Sequence, residues 1–176
     1  MKLTWFGGTA LRIYVGGEIV VVDADDAPAE IDRGELLAGA GRVVGLAGDG
    51  SVAAIDPATW RPKPAPRAID DAPPLDILRI GDSALLIAAA GEALLVILGS
   101  GEPPRFGRWA DGAVIVLTSG RDSFVAEATV LLDVARPRLV ALAADEQTLD
   151  AAIAELSEHL DGAGLVSLEP GLALEV

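Results

Sequence analysis

One histidine, His159, and no cysteine supply all the imidazole and thiolate metal ligands in this 176-residue chain. A hydrolytic zinc ion takes about three protein ligands at roughly 2.0–2.2 Å and leaves a further position to water. A single imidazole falls short of the His-based sets that such centres use. His159 also follows Glu155 by four residues near the end of a predicted helix. Pairing with that carboxylate and with the helix dipole is expected to keep it on the surface. The lack of cysteine removes disulfides, thiolate metal sites and cysteine nucleophiles from consideration.

Oxygen ligands are more plentiful. Asp23, Asp25, Asp26, Asp49, Glu102 and Asp145 fall at predicted strand ends or in loops, and carboxylates suit Mg²⁺, Ca²⁺ or Mn²⁺. Asp23 to Asp26 also read as turn formers and Asp145 as a helix N-cap. Three glycine loops, Gly48-Asp49-Gly50, Gly99-Ser100-Gly101 and Thr118-Ser119-Gly120, have the form of small-anion cradles or of tight strand-to-loop turns. None matches a P-loop or a dinucleotide fingerprint. A nucleophilic Ser100 or Ser119 would need a base, and the one histidine is assigned to an outer helix.

The elements that must position these residues are mostly short strands. Leu3, Trp5, Leu11, Ile13 and Val15 alternate with other residues, Gly16-Gly17 makes a turn, and Ile19 to Val22 reads as a buried strand ending at Asp23. A near copy follows 74 residues later. Thr9-Ala10-Leu11-Arg12-Ile13 matches Ser83-Ala84-Leu85-Leu86-Ile87, and Gly17-Glu18 matches Gly91-Glu92 before Leu94 to Leu98. Arg42 to Leu46 and Ala113 to Leu117 echo each other as buried strands running into loops. The chain therefore reads as one domain of two related halves, about 1–56 and 76–176. Residues 57–75 connect them through a proline-rich stretch that cannot form a helix interior.

Helices are expected around Arg33 to Ala40, over Phe124, Ala128, Leu131 and Ala135, and over Leu149, Ile153, Leu156 and Leu160. Asp122 or Ser123 is the N-cap candidate for the second of these. Each carries one apolar stripe, which suits the outer face of a sheet. Gly164 to Leu168 and Leu172 to Val176 close the chain as strands. Two hairpin-rich halves with one-sided helices are satisfied by packing two sheets face to face with helices outside.

The charge balance, 27 acidic against 13 basic residues for a net −14, repels nucleic acid and anionic membrane. No apolar run reaches the ~18 residues of a membrane span. The start of the chain lacks the basic and unbroken apolar segments of a secretory signal, so a cytoplasmic location is expected.

The opening MKLTWFGGTALRIYVGGEIVVVDADD, with Leu3-Thr4-Trp5-Phe6-Gly7 and a strand ending in Asp23, resembles the first hairpin of the metallo-β-lactamase superfamily. Arg136-Pro137-Arg138-Leu139-Val140 and Leu168-Glu169-Pro170-Gly171 extend the likeness, most closely to its small sugar-phosphate lactonase-like branch. The resemblance implies a four-layer αβ/βα sandwich whose strand-end loops hold one or two metal ions with several His and Asp side chains. At the matching positions this chain has other residues. Gly8 stands where a histidine commonly follows the first glycine. Gly48, Gly50, Val52 and Ala53 stand in the His-x-His-x-Asp-His stretch, Ser100 at the bridging carboxylate, and Ala143 or Ala144 at the last histidine.

The expectation is a degenerate member without catalytic residues or cofactor, acting as a binding, scaffolding or oligomerising protein. A carboxylate metal site at Asp23, Asp49 and Asp145 in a hydrolase, and a small-ligand binder using the vacated pocket, stand as alternatives. Trp60, Arg61, Lys63, Arg67, Arg105, Arg108 and Trp109 concentrate basic and aromatic character in two loops. These loops are candidates for a partner or self-association surface, or else they cap the edges of the sandwich.

Overall fold

The computed structural model describes residues 1–48, 50–63, 75–118 and 124–176. The alternating N-terminal residues form β1 (Lys2–Gly7), β2 (Ala10–Val15) and β3 (Glu18–Val22), each antiparallel to the next, with Leu11 opposite Val22 and Ile13 opposite Val20. The short helix α1 (Arg33–Leu37), capped by the Asp32 carboxylate, leads to β4 (Arg42–Val44), which runs parallel to β3. The chain then crosses to the second sheet through β5 (Ala53–Ile55). There β6 (Asp76–Ile80), β7 (Ala84–Ala88), β8 (Leu95–Leu98) and β9 (Val114–Leu117) follow.

The sequence echo is an echo of topology. β1 to β4 pair antiparallel, antiparallel and parallel, and β6 to β9 do the same. Leu85 and Ile87, the counterparts of Leu11 and Ile13, sit opposite Ile97 and Leu95. After β9 come α2 (Phe124–Val134), β10 (Leu139–Leu142), α3 (Glu146–Leu156), β11 (Gly164–Ser167) and β12 (Ala173–Glu175). Among the described residues the sheets run β12-β1-β2-β3-β4 and β11-β10-β9-β8-β7-β6-β5.

Period-two alternation sorts the core into layers. Leu3, Trp5, Leu11, Ile13, Leu85, Ile87, Leu95, Ile97, Val114 and Val116 meet between the sheets. The opposite faces of β7 to β10 bury Leu86, Val96, Leu98, Ile115, Leu117 and Val140 against Phe124, Ala128 and Leu131 of α2 and Ala152 and Leu156 of α3. Val21, Ala24 and Leu36 form a small third cluster under α1. The order is helix, sheet, sheet, helices. A sheet covered on both faces explains the unbroken apolar runs of the second half.

Two elements depart from the sequence reading. β4, expected to be buried like β9, is an exposed edge strand, with Val43 56% exposed. It has only β3 beside it, and the five-residue α1 does not cover it. In α3 the buried residues are Thr148, Ala152 and Leu156, so of the expected stripe of Leu149, Ile153, Leu156 and Leu160 only Leu156 is buried, and Ile153 is 40% exposed. Smaller side chains face the packed partner, which lets the helix approach closely. The helix stops at Leu156, where the Ser157 hydroxyl donates back to the Ile153 carbonyl.

At the end of the sandwich away from the strand C-termini, Glu92 ties the two hairpins together. One oxygen accepts from the Gly16 amide at 2.7 Å and the other pairs with the Met1 ammonium at 3.1 Å. Partial burial pushes this carboxyl up, but the Gly16 amide and the neighbouring ammonium outweigh it and hold the group below its ordinary value of 4.5. A depressed folded pKa contributes stability above the unfolded value, and that contribution is lost as pH falls through the folded one. Glu92→Gln is therefore expected to cost about 1 kcal/mol near neutrality. The gap to the parent chain should narrow as pH falls below 4.5 and close once the folded carboxyl is protonated. Urea unfolding across that range measures it, and a pH-independent gap would contradict the assignment.

Candidate functional site

The C-terminal ends of β1, β3 and β4 face those of β6 and β8 to β11 along one edge of the sandwich, and the strand-end loops collect there. β3 ends at Asp23, whose left-handed backbone (φ 44°, ψ 51°) turns the chain into the 3-10 turn Ala24–Asp26. This geometry places the Asp23 carboxylate back over the edge. Its Oδ1 accepts from the Leu46 amide at 2.7 Å and its Oδ2 from the Thr9 hydroxyl at 2.6 Å. The Asp26 carboxylate accepts from the Thr9 amide at 2.7 Å and lies against Gly8. Gly8 itself has φ +52°, and a Cβ there would collide with that carboxylate.

Leu46 is held from the other side as well. Arg79 of β6 shares the inward face with Ile77 and is only 5% exposed. Its guanidinium donates to the Gly45 carbonyl at 2.8 Å and to the Leu46 carbonyl. Its Nε is buried, has no hydrogen-bond partner among the described residues, and lies beside Gly48. A continuous run of polar contacts thus crosses from β6 through the loop after β4 to Asp23, Thr9 and Asp26.

The remaining ligand positions of the resemblance do not gather here, and Val52 and Ala53 lie at the start of β5, level with Ile77 and Leu78 of β6. Gly50 is exposed, Val52 is half-buried, and Ala53 is an exposed residue of β5. Asp49 lies outside the described residues, as do Arg67, Ser119 and the N-cap candidates Asp122 and Ser123. Ala143 and Ala144 follow β10. Asp145 then caps α3, its carboxylate accepting from the Thr148 amide at 2.9 Å and the Thr148 hydroxyl at 3.0 Å. Between the β1–β2 turn and the β10–α3 loop opens a cleft of about 880 Å³, lined by Trp5, Gly8, Thr9 and Asp26 on one side and by Thr118, Ala144, Asp145 and Leu168 on the other.

No protein-family model matches the sequence, and no curated protein matches it. Solved structures do. A metallo-hydrolase from the hyperthermophilic archaeon Ignicoccus hospitalis, Igni18, aligns over 99% of this chain and 98% of its own, with a TM-score of 0.52 at 14% identity. A protein from Thermotoga maritima, assigned to the Zn-dependent hydrolases of the metallo-β-lactamase superfamily, aligns over 96% and 99%, with a TM-score of 0.51 at 14% identity. The fold is that of the metallo-β-lactamase superfamily.

A metallo-β-lactamase fold implies a metal at this edge, and the residues present do not fit a zinc centre. The imidazole of His159 lies beyond the end of α3, exposed, with Nδ1 3.1 Å from the Glu155 backbone carbonyl rather than its carboxylate. Both oxygens of Asp23 and both of Asp145 already accept hydrogen bonds. Among the described residues no three His, Asp or Glu side chains come together in a way that could hold a metal ion.

The two aromatic and basic loops do meet. Trp60 and Trp109 stack edge to face with ring centroids 5.1 Å apart, and Phe106 adds a second such contact at 5.6 Å. The Trp109 indole donates to the Pro57 carbonyl at 2.6 Å and is buried in the outer core, while Arg61, Arg105 and Arg108 are exposed around it. Thr9 and Arg79 hold the loops of this edge together, and the sequence reading assigned neither a site role. Arg79 had a visible signal: a charged residue in the apolar run Ile77-Leu78-Arg79-Ile80, two positions from Ile77 and so on the same buried face.

Proposed function

We propose that this chain is a binding protein rather than a hydrolase, one that keeps the metallo-β-lactamase scaffold and uses its strand-end edge as a metal-free ligand cleft. The observation that carries this reading is the state of Asp23. Its two oxygens are engaged by the Leu46 amide and the Thr9 hydroxyl, so the carboxylate best placed to receive a metal serves to join loops. Asp26 likewise bonds Thr9, and Asp145 caps a helix. What this edge offers a ligand is space, about 880 Å³ over Trp5 and Leu168, within the range of small-molecule sites.

Two measurements on the intact chain test it. The protein is equilibrated separately with Zn²⁺, Mn²⁺ and Mg²⁺, dialysed and analysed for metal. Under about a tenth of an equivalent with unchanged Tm is expected. Near-stoichiometric metal that disappears in Asp23→Asn would instead support a carboxylate-site hydrolase. Neutral indole, titrated to about 20 mM, is expected to shift the amide resonances of Gly8, Thr9, Ala144 and Ser167. Shifts absent from all four would remove the cleft as a ligand site.

A further inference from the structure

A second cleft opens beyond the end of β8, on the helix-covered side of the sheet, and its walls carry charges that the fold does not use. Its volume is about 480 Å³, and its polar lining comes from Asp82, Ser83, Ser100, Glu102, Arg105 and Glu127. Glu127, on the first turn of α2, is 6% exposed. One carboxylate oxygen accepts from the Gly101 amide at 3.1 Å. Among the described residues the other has no hydrogen-bond partner, and no cationic side chain pairs with the group.

A carboxylate with so little of its surface exposed gains from any donor or opposite charge that reaches it. A single amide is a thin supply of donors. The oxygen left over lines a cleft large enough to admit a small molecule that brings its own. Arg105 also lines the cleft and is the one basic residue in its lining among the described residues. Its guanidinium is exposed and makes no hydrogen bond or ion pair among the described residues. A guanidinium presents a planar fork that matches a carboxylate. Asp82 and Glu102 add negative charge to the rim, which disfavours anions lacking a compensating cation.

We propose that this cleft binds a small zwitterion, its ammonium donating to Glu127 and its carboxylate meeting Arg105. The site is separate from the cleft at Gly8 and Ala144, and it stands or falls independently of whether that edge binds metal. Glycine, β-alanine and 5-aminovalerate, which space the two charges progressively further apart, are the probes, with propylamine and propionate as single-charge controls. Each is titrated into the intact chain by calorimetry and by amide NMR.

One of the three zwitterions is expected to bind about tenfold more tightly than either control, with shifts centred on Ser83, Gly101 and Glu127. Arg105→Gln should weaken that zwitterion about tenfold and leave propylamine unchanged, whereas Glu127→Gln should weaken both. Arg105 is exposed, so its variant tests the proposal even if Glu127→Gln fails to fold. Equal binding of propylamine and the best zwitterion would overturn it. So would an Arg105→Gln variant that binds like the parent, no shift from any probe at about 20 mM, or the same shifts produced by calcium chloride alone.

Discussion

Arg79→Met is expected to lower the unfolding free energy by about 3 kcal/mol and to loosen the loop after β4 more than any other segment. The methionine fills most of the volume of the arginine stem, so the loss comes from the Gly45 and Leu46 carbonyls, which lose their donors in a buried setting. Each unsatisfied group costs about 1–3 kcal/mol, partly relieved because Arg79 Nε has no partner among the described residues of the parent. Arg79→Lys should recover about half, because an ammonium lacks the planar fork that reaches two adjacent carbonyls. Urea unfolding gives the magnitude, and hydrogen exchange at the Leu46 amide gives the location. An even loss of protection over both sheets would show that Arg79 acts as general packing and not as the anchor of this loop.

That prediction concerns a residue the sequence reading passed over, and the reason is physical. Pattern finds elements whose neighbours are alike. The hairpins from Leu3 to Val22 and from Ser83 to Leu98 repeat the same alternation, and the structure pairs both antiparallel, Leu11 with Val22 and Leu85 with Ile97, the second one residue further along. Stripe position on α3 was less legible, since Thr148 and Ala152 are buried by docking geometry that hydrophobicity does not encode. β4 looked buried because Val43 and Val44 are apolar, yet edge position is decided by what lies next to a strand and not by its own composition.

The edge itself was legible only in the negative. Gly8, Gly48, Gly50 and Ala144 announce missing ligands, but nothing in their spacing says what joins the loops instead. The answer depends on Thr9, Asp23, Leu46 and Arg79, which come from four separate segments and meet only after both sheets have formed. A left-handed aspartate at the end of β3 is likewise invisible until the chain is folded. Residues that bond to backbone across long sequence separation leave little periodic trace.

Asp23→Ala, measured in excess chelator, is expected to cost about 2–3 kcal/mol. Two effects combine. The Leu46 amide and the Thr9 hydroxyl lose their acceptor, and alanine tolerates the left-handed backbone at φ 44° less well than aspartate does. Asp23→Gly separates them, because glycine removes the acceptor but relieves the backbone; it should therefore lie about 1 kcal/mol above alanine. Asp23→Asn keeps one carbonyl oxygen and the left-handed preference, and should lose only about 1 kcal/mol. The chelator is what makes the series decisive. A carboxylate whose main contribution is to hold a cation would stabilise the fold chiefly with metal bound, so its replacement in chelator would cost little beyond the backbone term of alanine. Loss of two or more kcal/mol with chelator present, and recovery in the order alanine, glycine, asparagine, would mean that Asp23 already has its partners within the chain.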